Sequence, residues 1–122
     1  MSPTFAPGKI SYLQLPAVDV EESARFYTAV FGWGLRRHDS GRVSFDDGVG
    51  EVSGHWDTAL PAAGPPGPLV HVLVRDVEAT LEAVRAAGGR VVEPAHGEPP
   101  EIHALIADPA GTVLGVFAQG GW

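Results

Sequence analysis

The stretch 19–33, which reads DVEESARFYTAVFGW, decides the fold that this sequence predicts. Asp19 is a suitable helix N-cap, the two glutamates behind it place negative charge in the first turn, and apolar residues follow at helical spacing. Gly32 is a suitable C-terminal stop. Upstream, residues 10–15 (ISYLQL) predict a strand that ends at Pro16, whose nitrogen cannot donate to a strand ladder. The segment therefore predicts a strand followed by a helix.

The same order returns 57 residues further along, where the letters DVEATLEAVRAAGG begin at Asp76. At this offset Asp19 falls on Asp76 and Gly32 on Gly89, and residues 69–74 predict the strand before the second helix. Each helix is followed by sequence typical of three short strands. These later strands are predicted between residues 35 and 56 in the first copy, and at 90–93, 102–107 and 112–118 in the second, with a turn at 108–111. The repeat predicts two βαβββ modules.

The segment between the two copies is predicted to be a linker. Residues 60–68 (LPAAGPPGP) contain four prolines and two glycines, which disfavour both a helix and a strand ladder. Module one then covers about residues 9–59 and module two about residues 69–118. A chain of 122 residues fits one domain of ordinary size.

Composition and charge restrict the function. The chain is 44% apolar and 19% charged, which is a globular mixture, and it has no cysteine, which excludes disulfides, thiolate catalysis and cysteine-ligated metals. A net charge of −7 disfavours nucleic acid and anionic membranes as partners. No apolar run is long enough for a bilayer span and no basic leader precedes Lys9, so we expect a cytoplasmic protein. Motifs typical of zinc hydrolases, serine hydrolases and nucleotide-binding loops are absent from the sequence.

Three stretches together resemble the vicinal oxygen chelate superfamily, which includes glyoxalase I, extradiol dioxygenases, fosfomycin-resistance enzymes and bleomycin-binding proteins. They are DVEESARFYTAVFGW (19–33), DVEATLEAVRAAGG (76–89) and DPAGTVLGVF (108–117). The resemblance implies an α+β fold in which the strands of both modules form a curved mixed sheet around a ligand cleft, with the helices outside. It also implies that single-domain members often form homodimers, and we expect one here.

Strand alternation predicts which side chains face this cleft, because successive residues point to opposite faces of a sheet. In the first strand the leucines belong against the helix, which leaves Tyr12 and Gln14 for the cleft. In the last strand of each module EVSGHW is aligned with TVLGVF, so that Gly54 corresponds to Gly115 and Trp56 to Phe117. The predicted ligand-binding residues are Tyr12, Gln14, Phe45, Trp56, His71, Leu73, His103 and Phe117.

The resemblance also implies where a metal ion would bind in this chain. Metal-dependent members take ligands from one position on the first and one on the last strand of each module. Those positions here are Tyr12, Gly54, Leu69 and Gly115. Glycine and leucine offer no donor atom, so the expectation is a protein without a cofactor. If the alignment slips by two residues, Gln14 and His71 become donors, with His103 as a third, and a divalent metal stays the alternative.

His71 is the candidate catalytic residue, because an imidazole in an apolar cleft is able to act as a general base or as a metal ligand. A buried histidine that a neighbour satisfies is the simpler interpretation, and both stay open. Two functions follow. The chain binds a small, partly hydrophobic organic molecule without metal, as bleomycin-resistance proteins do, and its negative charge favours a cationic one. Alternatively, it is a metal-dependent lyase, isomerase or ring-cleaving dioxygenase.

Overall fold

The computed structural model describes residues 3–122 and contains eight strands and two helices within them. In chain order they are β1 (Tyr12–Pro16), α1 (Val20–Phe31), β2 (Gly34–Arg37), β3 (Val43–Asp46), β4 (Ser53–Asp57), β5 (His71–Leu73), α2 (Val77–Ala86), β6 (Arg90–Glu98), β7 (Glu101–Ala107) and β8 (Val113–Ala118). The order confirms the α+β fold and its two βαβββ modules. None of the helices formed by residues 3–122 is both long and apolar enough to cross a membrane.

Both helices begin where the sequence predicts. The carboxylate of Asp19 accepts a hydrogen bond from Glu22 N at 3.2 Å, and α1 ends at Gly32 in the left-handed conformation, with φ of 72°. Asp76 caps α2 in the same way. At its C-terminal end, however, α2 reaches the left-handed conformation at Gly88, with φ of 94°, so the predicted equivalence of Gly32 and Gly89 is wrong by one residue.

β1, β5 and β6 show the main differences from the predicted strand bounds. The first lies at Tyr12–Pro16 rather than at 10–15, and the fifth contains only His71–Leu73 of the predicted 69–74. β6 is longer than predicted, because Arg90–Glu98 forms a hairpin with β7 in which the register shifts twice. These shifts make the middle of the hairpin irregular, and the sequence there lacks the alternation of polar and apolar residues that would predict a strand.

The strands form two four-stranded sheets with the same topology, β1-β4-β3-β2 and β5-β8-β7-β6. In each sheet the first strand of the module pairs in parallel with the last, and the other pairs are antiparallel. β1 and β5 are therefore edge strands, each with one side unpaired within the part of the chain that the structure describes.

One apolar core joins the two modules. It contains Leu15 and Phe45 from the first sheet, Phe26 from α1, Leu81 from α2 and Ile106 from the second sheet, all at most 5% exposed. The helix-covered side of each sheet consequently faces the other module. We call the opposite, solvent-exposed side of each sheet its free face.

A buried hydrogen bond also connects the modules. The Tyr27 hydroxyl on α1 donates to Asp108 Oδ2 at 2.7 Å, in the turn between β7 and β8. Burial raises the pKa of Tyr27 well above its ordinary value of 10.0, so this hydroxyl stays a donor. Burial also raises the pKa of Asp108, an effect that hydrogen bonds from Tyr27, Thr112 and Ala110 oppose.

Candidate functional site

The free face of the first sheet is polar. Alternation along β1, β3 and β4 sends Leu15, Phe45 and Trp56 into the core and leaves polar side chains on the other side. We call this surface the polar face; its residues are Tyr12, Gln14, Arg36, Arg42, Ser44, Asp46, Ser53, His55 and Asp57. Side-chain hydrogen bonds join most of them to one another. The face is therefore a preformed set of donors and acceptors.

Tyr12, His55 and Arg42 form the central network of the polar face. The Tyr12 hydroxyl lies 2.6 Å from His55 Nδ1, and Arg42 Nη2 donates to the same hydroxyl at 2.7 Å. Tyr12 is 46% exposed, so the network is open to solvent. Such a cluster is able to bind a polar group and to hold or move a proton at the phenolic oxygen.

The free face of the second sheet is lined by aromatic rings, three of which are histidine imidazoles. The Phe117 ring lies between two histidines, edge-on to His71 with centroids 6.4 Å apart and stacked on His103 at 6.0 Å. His96, whose Nε2 lies 2.7 Å from Glu93 Oε1, stacks on the other side of His103, with ring centroids 5.8 Å apart. We call this surface the aromatic face; its residues are His71, Leu73, His96, His103, Leu105 and Phe117. Flat rings of this kind are suited to contact with a planar molecule.

The His71 ring packs against the backbone of Gly115. A Cβ atom at Gly115 would lie 2.0 Å from His71 Nδ1, so the imidazole rests directly on the glycine backbone. The two residues are opposite each other in the parallel pair of β5 and β8. Any side chain at Gly115 would push His71 away from Phe117.

An open apolar groove of about 1070 Å³ separates the edges of β1 and β5. Most of its walls are aliphatic or aromatic, with a few polar groups at the rim. The apolar residues include Ile10, Leu13, Val30, Phe31, Trp33, Val70, Val72, Leu73 and Val74, and the polar ones include Asp47, His71, Arg75, Asp76 and Thr80. Trp122 borders the groove as well, where its ring stacks on the Arg75 guanidinium at 3.9 Å.

The structure divides the predicted site residues among these surfaces. Tyr12 and Gln14 lie on the polar face, whereas His71, Leu73, His103 and Phe117 lie on the aromatic face. Among the described residues, no hydrogen bond or ring contact joins the first group to the second. The two groups therefore do not meet within one chain.

Phe45 and Trp56 do not lie on the free side of the first sheet, where a residue of the predicted cleft would lie. Both are core residues, 0% and 4% exposed, and their rings pack together with centroids 4.8 Å apart. Phe45 reaches the groove only from the core side. Trp56 therefore lies on the opposite side of its sheet from Phe117, with which the alignment of EVSGHW and TVLGVF matches it.

The alignment of Gly54 with Gly115 is wrong for the same reason. A Cβ at Gly54 would point into the core and lie 2.3 Å from Phe45 Cζ, whereas a Cβ at Gly115 would point to the aromatic face. On β4 it is His55 that lies opposite Gln14, just as Gly115 lies opposite His71 on β8. The true correspondence is shifted by one residue, which turns every side chain to the other face.

The residues at the family's metal positions do not fit a metal ion within one chain. When His55 takes the place of Gly54 in the alignment, the side chains with donor atoms at the family's metal positions are Tyr12 and His55. The Tyr12 hydroxyl and His55 Nδ1 lie 2.6 Å apart and bind each other. The alternative donors are also separated, since Gln14 donates to Asp57 and His103 stacks on Phe117. No three histidine, aspartate or glutamate side chains in residues 3–122 are close enough to share an ion.

Arg42 and His55 are the site residues that the sequence reasoning missed. Neither is singled out in the sequence analysis, and Arg42 lies in the loop before β3. A signal was available, because the alternate residues Ser53, His55 and Asp57 are all polar while Gly54 and Trp56 between them are not. That pattern identifies the solvent side of β4.

Comparison with known proteins shows which family model and which relatives this chain is similar to. Residues 9–116 match the family model of the Glyoxalase/Bleomycin resistance protein/Dioxygenase superfamily, which confirms the resemblance noted from the sequence. The chain is 29% identical to "Putative glyoxylase CFP32" of Mycobacterium tuberculosis over 93% of its own length and 46% of that protein. It is 32% identical to "Anthracycline biosynthesis protein DnrV" of Streptomyces peucetius, over 95% of its own length and 49% of that protein. The chain thus spans about half the length of these two relatives.

A solved structure shows the same fold. TnmS3, described as an antibiotic binding protein from Streptomyces sp. CB03234, superposes with a TM-score of 0.69 at 22% sequence identity. The match covers 96% of this chain and 100% of TnmS3. At this level of identity the likeness establishes the architecture.

Proposed function

The chain belongs to the Glyoxalase/Bleomycin resistance protein/Dioxygenase superfamily, and from that premise we propose that it binds a small, partly hydrophobic organic molecule in a cleft, without a metal ion. The observation that carries the proposal is the half-buried Phe117 ring between His71 and His103, on a sheet face that no other part of the described chain covers. Aromatic walls with few polar groups are typical of sites for small organic ligands.

The cleft forms between two copies of the chain. β1 and β5 are both edge strands beside the apolar groove, where Ile10 is 74% and Leu73 43% exposed. A twofold axis through the groove brings β1 of each copy alongside β5 of the other, so that both edges are covered at once. The polar face of one copy and the aromatic face of the other then belong to one eight-stranded sheet that curves around a shared cleft.

The ligand is a planar aromatic molecule. The names of two relatives support this choice, since TnmS3 is described as antibiotic-binding and DnrV as an anthracycline biosynthesis protein. The rings of the ligand stack against Phe117 and the neighbouring imidazoles, and its polar groups contact the opposite face. Cytoplasmic location, and the absence of nucleic-acid or membrane partners, stay predictions from the sequence.

We expect the variant Ile10→Glu to be a monomer at micromolar concentration, where the parent is a dimer. A carboxylate in the covered groove would lose its hydration, whereas in the monomer this exposed side chain carries little cost. Sedimentation velocity measures the two states directly. Val18→Glu is the matched control, because Val18 is 78% exposed but lies outside the groove, and this variant should stay dimeric. A parent that sediments as a monomer would contradict the proposed cleft.

We expect Phe117→Ala to weaken the binding of 2-acetylnaphthalene, a neutral planar probe, by about tenfold, since an aromatic pair contributes about 1 kcal/mol beyond its buried area. Titration calorimetry measures the affinity, and EDTA should leave it unchanged. Phe117→Leu, which keeps apolar volume, separates loss of the ring from loss of packing. Leu60→Ala, outside both faces, should bind as the parent does. Equal affinities for all four proteins would place the ligand elsewhere.

A further inference from the structure

The polar face contains a guanidinium without an acidic partner. Arg36 and Arg37 each form an ion pair, with Asp46 at 3.0 Å and Glu21 at 2.6 Å. Arg42 has no carboxylate within 4.0 Å among the described residues, and within that part of the chain its guanidinium donates one hydrogen bond, to the Tyr12 hydroxyl. Since a guanidinium has five N–H donors, most of those on Arg42 point to open solvent.

From this geometry we infer that the ligand carries an oxyanion, and that Arg42 and the Tyr12 hydroxyl bind it. The inference rests on the proposed function, because it names the chemical class of ligand for the same cleft. The class is a planar aromatic carboxylate or an acidic phenol. The aromatic face of one copy contacts the rings, and the polar face of the other contacts the charged oxygen.

His55 orients the Tyr12 hydroxyl for this role. The phenolic oxygen accepts from Arg42 Nη2, and at 2.6 Å from His55 Nδ1 it also accepts from that nitrogen when the imidazole carries its hydrogen there. The hydroxyl hydrogen is then free to donate outward. An oxyanion at this point meets a neutral O–H donor and a cation side by side, which gives short, charge-assisted hydrogen bonds.

The acidic residues on the same face do not compete for Arg42. Asp46 accepts from Arg36 and from Ser53, and Asp57 accepts from Gln14, so each carboxylate has donors of its own. The net charge of −7 acts from a greater distance and is screened beyond about 8 Å at physiological salt. Asp57 has no cation within 4.0 Å among the described residues either, but Arg42 is the charge in direct contact with the Tyr12 hydroxyl. We therefore expect Arg42 to decide which ligand charge is preferred, in contrast to the cationic ligand expected from the net charge.

Three naphthalene probes of similar size test the inference on the full chain. They are 2-naphthoate, the neutral 2-acetylnaphthalene and the cationic 2-naphthylmethylammonium. We expect the parent to bind naphthoate about tenfold more tightly than the neutral probe, the effect of one hydrogen bond to a charged group. The ratio of these two affinities should fall to about one in Arg42→Met and to an intermediate value in Tyr12→Phe. The preference should also decline as salt increases.

Arg25→Met is the matched control, since it removes the same charge from the exposed outer side of α1 and should keep the parent's ratio. Equal binding of naphthoate and the neutral probe, or preference for the ammonium, would overturn the inference while the proposed function stands. Failure of all three probes to bind would refute the proposed function and the inference together. A melting curve for each variant confirms that it is folded.

Discussion

Replacing Gly54 by alanine should destabilise the protein by about 3 kcal/mol or prevent folding, which is the upper end of the cost of overfilling a packed core. The added Cβ would lie 2.2 Å from the Leu13 carbonyl oxygen and 2.3 Å from Phe45 Cζ. The Leu13 oxygen belongs to the backbone of β1, which pairs with β4 at this residue, so it is unable to move without loss of ladder hydrogen bonds. The Phe45 ring is fully buried, and its Cε2 atom would also lie 2.8 Å from the added Cβ.

The control for this substitution is Gly34→Ala in the same sheet. Gly34 has no atom within 4 Å of the added Cβ and does not have a positive φ. We expect a change in the free energy of unfolding of less than about 1 kcal/mol, in the stabilising direction because the unfolded chain loses freedom. Urea unfolding followed by tryptophan fluorescence measures both variants. Equal stabilities for Gly54→Ala and Gly34→Ala would show that β4 does not contact Phe45 as described.

Local signals in the sequence predicted the elements of the fold well. Asp19 and Asp76 cap their helices as predicted, because an N-cap depends on a side chain and a backbone amide three residues away. The turn at 108–111 is also confirmed, with Gly111 N donating to Asp108 O at 2.9 Å. Interactions between near neighbours are encoded by short patterns, and such patterns are legible in one sequence.

The face of β4 was not predictable by matching glycines between the modules. Gly54 and Gly115 are both needed for close approach, but Gly54 accommodates the Phe45 ring in the core and Gly115 accommodates the His71 ring on the free face. The same residue type thus serves opposite sides of the two sheets. The polar residues on either side of Gly54 were the better evidence, since burial of alternate residues is what fixes strand register.

The way in which one module packs against the other could not be predicted from the sequence either. Alternation in β1 predicts the side of that strand that faces the cleft, but a repeat does not specify whether the two modules enclose a cleft within a chain or between chains. That choice depends on contacts between distant residues, such as the one between Tyr27 and Asp108, which are 81 positions apart. Neither residue stands out in a local pattern as the partner of the other.

Replacing Tyr27 by phenylalanine should destabilise the protein by about 2 kcal/mol at neutral pH, the cost of leaving a buried acceptor without its donor. Asp108 is 3% exposed. Its Oδ1 accepts from Ala110 N and Thr112 N, but Tyr27 is the donor to Oδ2 in the described chain. The phenylalanine ring fills the same space, so the loss reports the hydrogen bond rather than a cavity.

The pH dependence of this loss identifies the carboxylate as its source. Burial raises the pKa of Asp108 above its ordinary value of 3.8, so its contribution to stability is fully present below 3.8 and declines as the pH rises through the raised pKa. Tyr27→Phe removes a hydrogen bond that favours the ionised form, so the pKa of Asp108 rises further and the decline extends to higher pH and becomes larger. The difference in unfolding free energy between parent and variant should therefore be small near pH 3.8 and grow toward neutrality.

In an Asp108→Asn background, which has no charge to bury, the difference in unfolding free energy between the proteins with and without Tyr27→Phe should be independent of pH. A loss of equal size at every pH in the native Asp108 background would show that the Tyr27 hydroxyl does not distinguish the ionised from the neutral carboxyl group, and would contradict this explanation.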